Sequence, residues 1–303
     1  IGDGGMGSVF EARHEALGTT VALKFLHSEL TRRPGLVQRF LQEARVSAKI
    51  QSPHVVRVTD VEQTQNGLPF IVMEYLDGKS LQTLYEDLYK AGKRLSYEEA
   101  VDYALQMLDG LEAAHEEGVV HRDLKPDNVM IVRGKRGEAI VKLLDFGISK
   151  IQQPGSASLT QTNSALGTPL YMSPEQAKGA RDIDARSDVF SAGIVFYMML
   201  AGKNPFESET FHSVVSAIIE VEPPRPPGVP EPIWLVLSRM LEKDPAKRFP
   251  DATEAGIALR RASGRTSTTD SGAQFMPRSL PGDVMTTVQP VVESRSGPPP
   301  SVE

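Results

Sequence analysis

The sequence predicts an α+β fold in two unequal parts, followed by an irregular tail. Three observations carry this. Apolar strand runs at Val9-Phe10, Thr19 to Phe25 and Phe70-Ile71-Val72-Met73 fall within the first 76 residues, with one helical pattern among them. Helical patterns dominate residues 77–261. From Ala262 onward, 22 of the last 42 residues are Ser, Thr, Pro or Gly. Such a stretch cannot bury enough apolar surface to offset its ordering entropy, so residues 262–303 are expected to form a disordered linker.

The elements follow in order. Gly2-Asp3-Gly4-Gly5-Met6-Gly7-Ser8-Val9 has Gly-x-Gly-x-x-Gly-x-Val spacing, and glycine lets a turn lie close over phosphates where a Cβ would clash. Apolar runs flank it and no helix starts at Gly7, which argues against a dinucleotide-binding turn. Lys24 closes Val21-Ala22-Leu23-Lys24, 17 residues after Gly7. Leu36, Val37, Phe40, Leu41, Ala44 and Ala48 recur at the spacing of an amphipathic helix, and Glu43 lies within it. Pro69 to Leu76 reads as a mostly apolar strand running into Glu74-Tyr75-Leu76. Ser96-Tyr97-Glu98-Glu99 is a capping box that opens a helix with Val101, Ala104, Leu105, Leu108, Leu111 and Ala114 inward. The stretch 133–138 is expected to be a turn between two short strands. Asp188 to Ala201 is apolar nearly all round, as a buried axial helix would be.

Composition narrows the function classes. The 303 residues are 24% charged and 40% hydrophobic, as in an ordinary globular chain. The net charge of −6 gives no reason to expect nucleic-acid or anionic-membrane binding. With no cysteine there is no disulfide framework, thiol catalysis or Cys-based zinc site. The longest apolar run, Gly193 to Ala201, is too short to span a bilayer, and no signal peptide is visible.

The most informative string is His121-Arg122-Asp123-Leu124-Lys125-Pro126-Asp127-Asn128. One tight loop there offers a carboxylate for a hydroxyl, a cation for a phosphate and an amide oxygen for a metal. Phosphoryl transfer needs these groups, because its catalysis is mostly positioning and charge neutralisation. Downstream, a strand ends in Asp145-Phe146-Gly147, and a carboxylate at a strand end suits magnesium. The series ends with Gly167-Thr168-Pro169, Ser173-Pro174-Glu175, Asp188 and Arg248.

In this order and over roughly residues 1–261, the motifs resemble the Hanks-type serine/threonine protein kinases, with a bacterial receptor-type character. The resemblance implies a bilobal protein-kinase-like fold. Residues 1–76 would form a mainly β N-lobe and hinge, and 77–261 a mainly α C-lobe. It implies ATP and Mg2+ as cofactors and protein Ser/Thr hydroxyls as acceptors. By that resemblance Asp123 is the base, Lys125 steadies the γ-phosphate, and Lys24 grips the α- and β-phosphates while paired with Glu43. Thr168 bridges Asp123 and Lys125. Asn128 and Asp145 are the metal ligands. Gly2, Gly4, Gly7, Val9, Ala22, Lys24, Met73, Glu74, Leu76 and Met130 surround the nucleotide, with Met73 as gatekeeper. Arg122, Lys150 and Arg39 form a phosphate pocket for an activation segment phosphorylated at Thr160, Thr162 or Ser164. His121, Phe146, Glu175, Asp188 and Arg248 are structural. Ser for Ala in Ser173-Pro174-Glu175 is expected to be harmless. The opening on Ile1 implies a truncated first strand. A homodimer for trans-autophosphorylation is left open, and the location is expected to be cytoplasmic, with a tether beyond Glu303. The competing reading is a pseudokinase or weak fragment acting as a nucleotide-binding scaffold.

Overall fold

The structure, a computed structural model, describes residues 1–3, 7–31, 34–146 and 169–265. The chain divides into two units, Ile1–Thr266 and Ser267–Glu303, and every described residue lies in the first.

The small lobe opens with β1 (Gly2–Asp3), β2 (Gly7–Arg13) and β3 (Thr20–Leu26). Two helices follow, α1 (Ser28–Thr31) and α2 (Pro34–Ser47), then β4 (Val58–Gln63) and β5 (Pro69–Glu74). The five strands form one antiparallel sheet in the order β1-β2-β3-β5-β4. Leu26 and Ile71 from the sheet bury against Phe40 and Ala44 of α2, with Val58 and Val61 packed beside them. The apolar stripe of α2 thus meets one face of the sheet, as its helical spacing predicted. Ser47 is buried at the end of that helix.

The large lobe begins with β6 (Gly78–Ser80), α3 (Leu81–Lys90) and α4 (Tyr97–Glu116). A second sheet is completed by β7 (Val129–Arg133) and β8 (Ala139–Leu143), in the order β6-β7-β8. The turn between β7 and β8 closes where the sequence placed it, with Glu138 folding back to accept the Arg136 N–H at 2.9 Å. Then come α5 (Pro174–Ala177), α6 (Ala185–Ala201), α7 (Phe211–Glu220), α8 (Glu231–Met240) and α9 (Ala252–Ala262).

Both halves of the capping box on α4 are present: Ser96 accepts from the Glu99 N–H, and Glu99 accepts from the Ser96 N–H. Val101, Ala104, Leu105, Leu108, Leu111 and Ala114 are all buried. Helix α6 is buried from Ser187 to Tyr197, so it is the axis around which α4, α8 and α9 pack.

The lobes are joined behind the cleft as well as through the chain. Leu143 N–H donates to His54 O at 2.8 Å, and Val56 N–H donates to Leu143 O at 2.9 Å. The segment after α2 is thereby stitched to β8.

Candidate active site

Strand register performs the first part of the assembly. Directly paired residues lie on the same face of a sheet, and alternate residues along a strand share a face. Lys24 pairs with Val9 and Ile71, and Ala22 pairs with Met73. Val9, Ala22, Lys24 and Met73 therefore line one side of the small-lobe sheet. Gly7 lies where β2 comes closest to β3: a Cβ there would sit 1.9 Å from the Phe25 carbonyl oxygen. Only glycine permits that approach. Gly2, exposed on β1, pairs with Val9.

At the end of β5, the Glu74 carboxylate accepts from the Arg57 N–H at 2.8 Å and from Lys142 Nζ at 2.6 Å. Leu76 follows two residues later and is half-buried. Met130 lies on β7, paired with Ser80 and Lys142.

Helix α2 brings Glu43 to the sheet, with Arg39 one turn earlier. Lys24 Nζ lies 3.3 Å from Glu43 Oε1 and 2.6 Å from Asp145 Oδ1. Burial works against the charge on Lys24, but the Asp145 and Glu43 carboxylates outweigh it and push its pKa up to about 12. For Glu43 burial is the larger influence. Its carboxyl is pushed up to about 7 against the pull of Lys24, and the Asp145 charge adds to the rise. One ammonium is shared by two acids, and Asp145 holds the shorter contact.

The loop opposite is held in an unusual backbone. Arg122 (φ 63°) and Asp145 (φ 50°) are the two non-glycine residues with positive φ among those described. This conformation costs about 1–2 kcal/mol per residue and persists only where neighbours fix it. Asp188, buried on α6, fixes Arg122. Its carboxylate accepts the His121 N–H at 2.7 Å and the Arg122 N–H at 2.8 Å, and lies 3.0 Å from His115 Nε2. Gln176 Nε2 donates to the Arg122 carbonyl at 2.9 Å from the other side.

His121 is wholly buried, with its ring centroid 4.7 Å from that of Phe146, which is also buried. Its Nε2 is 2.9 Å from Leu144 O, and its Nδ1 accepts the Asp123 N–H at 3.3 Å. That pattern needs a neutral ring with the proton on Nε2. Burial agrees, pushing the imidazole pKa down. His121 therefore orients the loop that carries Asp123.

Asn128 Nδ2 donates to the Asp123 carbonyl at 2.8 Å. The Leu144 N–H donates to Asn128 O at 2.9 Å, which sets Asp145 beside the loop. Lys125 Nζ lies 4.0 Å from Asp123 Oδ2. The Arg122 side chain is half-buried, reaching Ile183 O at 3.4 Å, and its Nε is buried with no partner among the described residues. Beneath the site, Arg248 grips Glu175 with two parallel hydrogen bonds, at 2.7 and 2.8 Å.

Gly4, Thr168, Lys150, Thr160, Thr162 and Ser164 lie outside the described residues.

Several contributors were not singled out in the sequence. His115 is the third group on Asp188; its signal was a histidine at the C-terminal end of an apolar helix stripe. The Glu74–Lys142 pair and Gln176 gave no signal, since their partners are remote in the chain. Ser173 was read as a harmless replacement for Ala. It is buried, accepts the Gln176 N–H as N-cap of α5 and donates to Ser187 Oγ at 3.2 Å.

Lys24 and Glu43 of the small lobe thus meet Asp145 of the large lobe. The layout is that of phosphotransferases working on a nucleotide. The chain belongs to the protein kinase family: the protein kinase domain model matches residues 1–255. Serine/threonine-protein kinase Pkn1 of Myxococcus xanthus is 38% identical over 269 residues, covering 86% of this chain and 37% of that protein. Serine/threonine-protein kinase PksC of Streptomyces coelicolor is 39% identical over 259 residues, covering 83% of this chain and 46% of its own length. The chain spans less than half the length of these curated relatives. A crystal structure of a double-mutant kinase domain of PknI from Mycobacterium tuberculosis superposes with a TM-score of 0.66 at 27% identity, covering 87% of this chain and 93% of that one.

Proposed function

We propose that this chain is a serine/threonine protein kinase, moving the γ-phosphoryl group of ATP to Ser or Thr hydroxyls of protein substrates. The observation that carries the reading is the ammonium of Lys24, held between Glu43 of the small lobe and Asp145 at the edge of the large lobe. A half-buried cation shared by acids of the two lobes can take a phosphate oxygen as a further partner, and its setting depends on the two lobes being together.

The roles are those the resemblance assigns. The backbone of the glycine run Gly2 to Gly7 is assigned to the phosphates. Val9, Ala22, Met73, Leu76 and Met130 supply apolar walls, and the backbone of Glu74 and Leu76 meets the adenine edge. Lys24 grips the α- and β-phosphates. Asp123 orients the acceptor hydroxyl and takes its proton, while Lys125 steadies the charge on the moving phosphoryl group. The resemblance assigns Thr168, outside the described residues, to bridging these two, and Lys125 favours Ser or Thr over Tyr.

Protein kinases use ATP with magnesium, and the donors here fit a hard cation. The Asn128 amide nitrogen is committed to the Asp123 carbonyl, which leaves Oδ1 as an oxygen ligand beside the Asp145 carboxylate. Magnesium held there would neutralise charge on the phosphate oxygens.

Regulation by the activation segment is part of the same reading. The Nε of Arg122, buried and without a partner among the described residues, suits a phosphate on Thr160, Thr162 or Ser164, to which Lys150 and Arg39 are assigned as further partners. A cytoplasmic location and trans-phosphorylation between two copies fit such a device.

The test is autophosphorylation of this chain and of Asp123→Asn with magnesium and labelled ATP, the sites mapped by mass spectrometry. Label on Thr160 or Thr162 in the parent and none in the variant is expected. Equal label in both would overturn the role of Asp123.

A further inference from the structure

Away from the phosphoryl-transfer residues, one amine stands where a positive charge is poorly served. Lys243 lies in the loop after α8 and is half-buried. Its Nζ donates to Ile218 O at 2.7 Å and sits over the Phe206 ring, 4.0 Å from the centroid. The Phe190 ring is 5.4 Å away, and the Arg248 guanidinium lies 4.8 Å from that same ring. Arg248 also donates to Lys243 O at 3.2 Å. Two cations thus share one stacked aromatic pair. Glu175 is taken by Arg248, and no carboxylate pairs with Lys243 among the described residues.

Two such cations do not keep their protons equally. A guanidinium holds on, whereas an ammonium deprived of water gives its proton up readily. Burial first, then the Arg248 charge, push the Lys243 amine down to about 8, and Glu222 opposes them only in part. At pH 7.5 roughly a quarter of such an amine is neutral, against about one in a thousand for an ordinary lysine. The neutral amine is the nucleophile, and a lysine beside a second cation is activated in this way.

The same amine has a structural task. Ile218 O is among the last carbonyls of α7, which find no partner inside the helix. The Lys243 ammonium caps it, with its charge at the negative end of the helix dipole. Helix α7 in turn packs on α5 and on the turn Pro169–Tyr171. A change at Nζ is therefore felt at the end of a helix that supports both.

We propose that Lys243 is an acylation site, taking the acyl group of a small acyl phosphate, and that its modification releases the C-terminal turn of α7. The neutral Nζ attacks the acyl carbon. The C–N bond forms as the C–O bond to phosphate breaks, and the amine proton leaves with the phosphate. A small donor suits a half-buried amine, and its negative charge meets the cationic neighbour Arg248. The amide product carries no charge to place over Phe206 or at the helix end, so the cap weakens. The acylation stands independently of the kinase reading.

The test is incubation of the folded chain with acetyl phosphate at a series of pH values, with the initial rate at each lysine followed by mass spectrometry. At neutral pH Lys243 should react about tenfold faster than the exposed Lys93, Lys203 and Lys247. Its rate should level off above pH 8, whereas an ordinary lysine gains up to about pH 10. In urea the advantage should vanish, because the fold creates it. Amide hydrogen exchange in the last turn of α7 should quicken in the acetylated chain. It should stay unchanged in Lys243→Arg given the same treatment, since arginine keeps a cation at the helix end. Lys243 reacting no faster than the exposed lysines, or a rate still rising at pH 10, overturns the site. Unaltered exchange in the acetylated chain overturns the release of α7. A chain acetylated at Lys243 that transfers no phosphoryl group leaves the site standing and overturns the kinase reading alone.

Discussion

Replacing Arg248 with methionine should cost this fold more than almost any other single change. The guanidinium is wholly buried and donates five hydrogen bonds. Two go to the Glu175 carboxylate at 2.7 and 2.8 Å. The others go to Glu242 O at 2.6 Å, Arg186 O at 3.0 Å and Lys243 O at 3.2 Å. Its plane also lies 4.8 Å from the Phe190 ring centroid. Methionine keeps the apolar stem but strands the Glu175 charge. Breaking a buried pair from one side costs about 3–5 kcal/mol. For a domain of this size that lowers Tm by roughly 10 °C. Denaturant titration at neutral pH measures it directly. The double variant Glu175→Leu, Arg248→Met should recover about half of the loss, because no charge remains buried. The pH dependence gives a second reading. Burial acts to raise the Glu175 pKa, but the hydrogen bonds from Arg248 and Ser187 outweigh it and hold the value below the ordinary carboxylate range. Its contribution to stability is therefore present above the unfolded pKa and is lost as pH falls through the folded value. In Arg248→Met the Ser187 hydrogen bond remains but the influence of Arg248 is gone, so burial weighs more heavily on Glu175, and acid should narrow the gap to the parent. A single-variant loss under about 1 kcal/mol, or a double variant that is simply additive, would refute this reasoning.

Other expectations are smaller. Ser96→Ala removes the cap of α4 and should cost about 1 kcal/mol by denaturant titration, without altering the cleft. His115→Ala removes one of three groups on the buried Asp188 carboxylate; a loss of about 1–3 kcal/mol is expected, together with slower phosphoryl transfer, because the same carboxylate holds the His121–Arg122 backbone. Gly7→Ala forces β2 away from the Phe25 carbonyl, and ATP KM should rise severalfold while the large lobe melts normally.

Much of this architecture was legible because local pattern and tertiary role coincide. The Phe40 and Ala44 stripe of α2, the Ser96–Glu99 box and the nearly all-apolar run of α6 each state their environment in residue type alone. The strand register that brings Val9, Ala22, Lys24 and Met73 to one face follows from side-chain alternation once the pairing is known. What stayed hidden depends on contacts between distant segments. Nothing local marks Lys142 as the partner of Glu74, or His115 and Gln176 as supports of the loop at Arg122. The positive φ of Arg122 is equally silent, since arginine does not favour it; the reason lies in Asp188, 66 residues on. Ser173 looked like a neutral substitution because the donor it receives, the Gln176 N–H, exists only once α5 has formed.

The central claim is a phosphoryl transfer to serine or threonine that runs through Asp123. Its most direct test is incubation of the chain and of Asp123→Asn with labelled ATP, magnesium and a generic protein acceptor, followed by phosphoamino-acid analysis. The account predicts phosphoserine or phosphothreonine on the acceptor with the parent, and a rate about 10²–10⁴-fold lower with the variant. Phosphotyrosine as the main product, or a variant as fast as the parent, would contradict it.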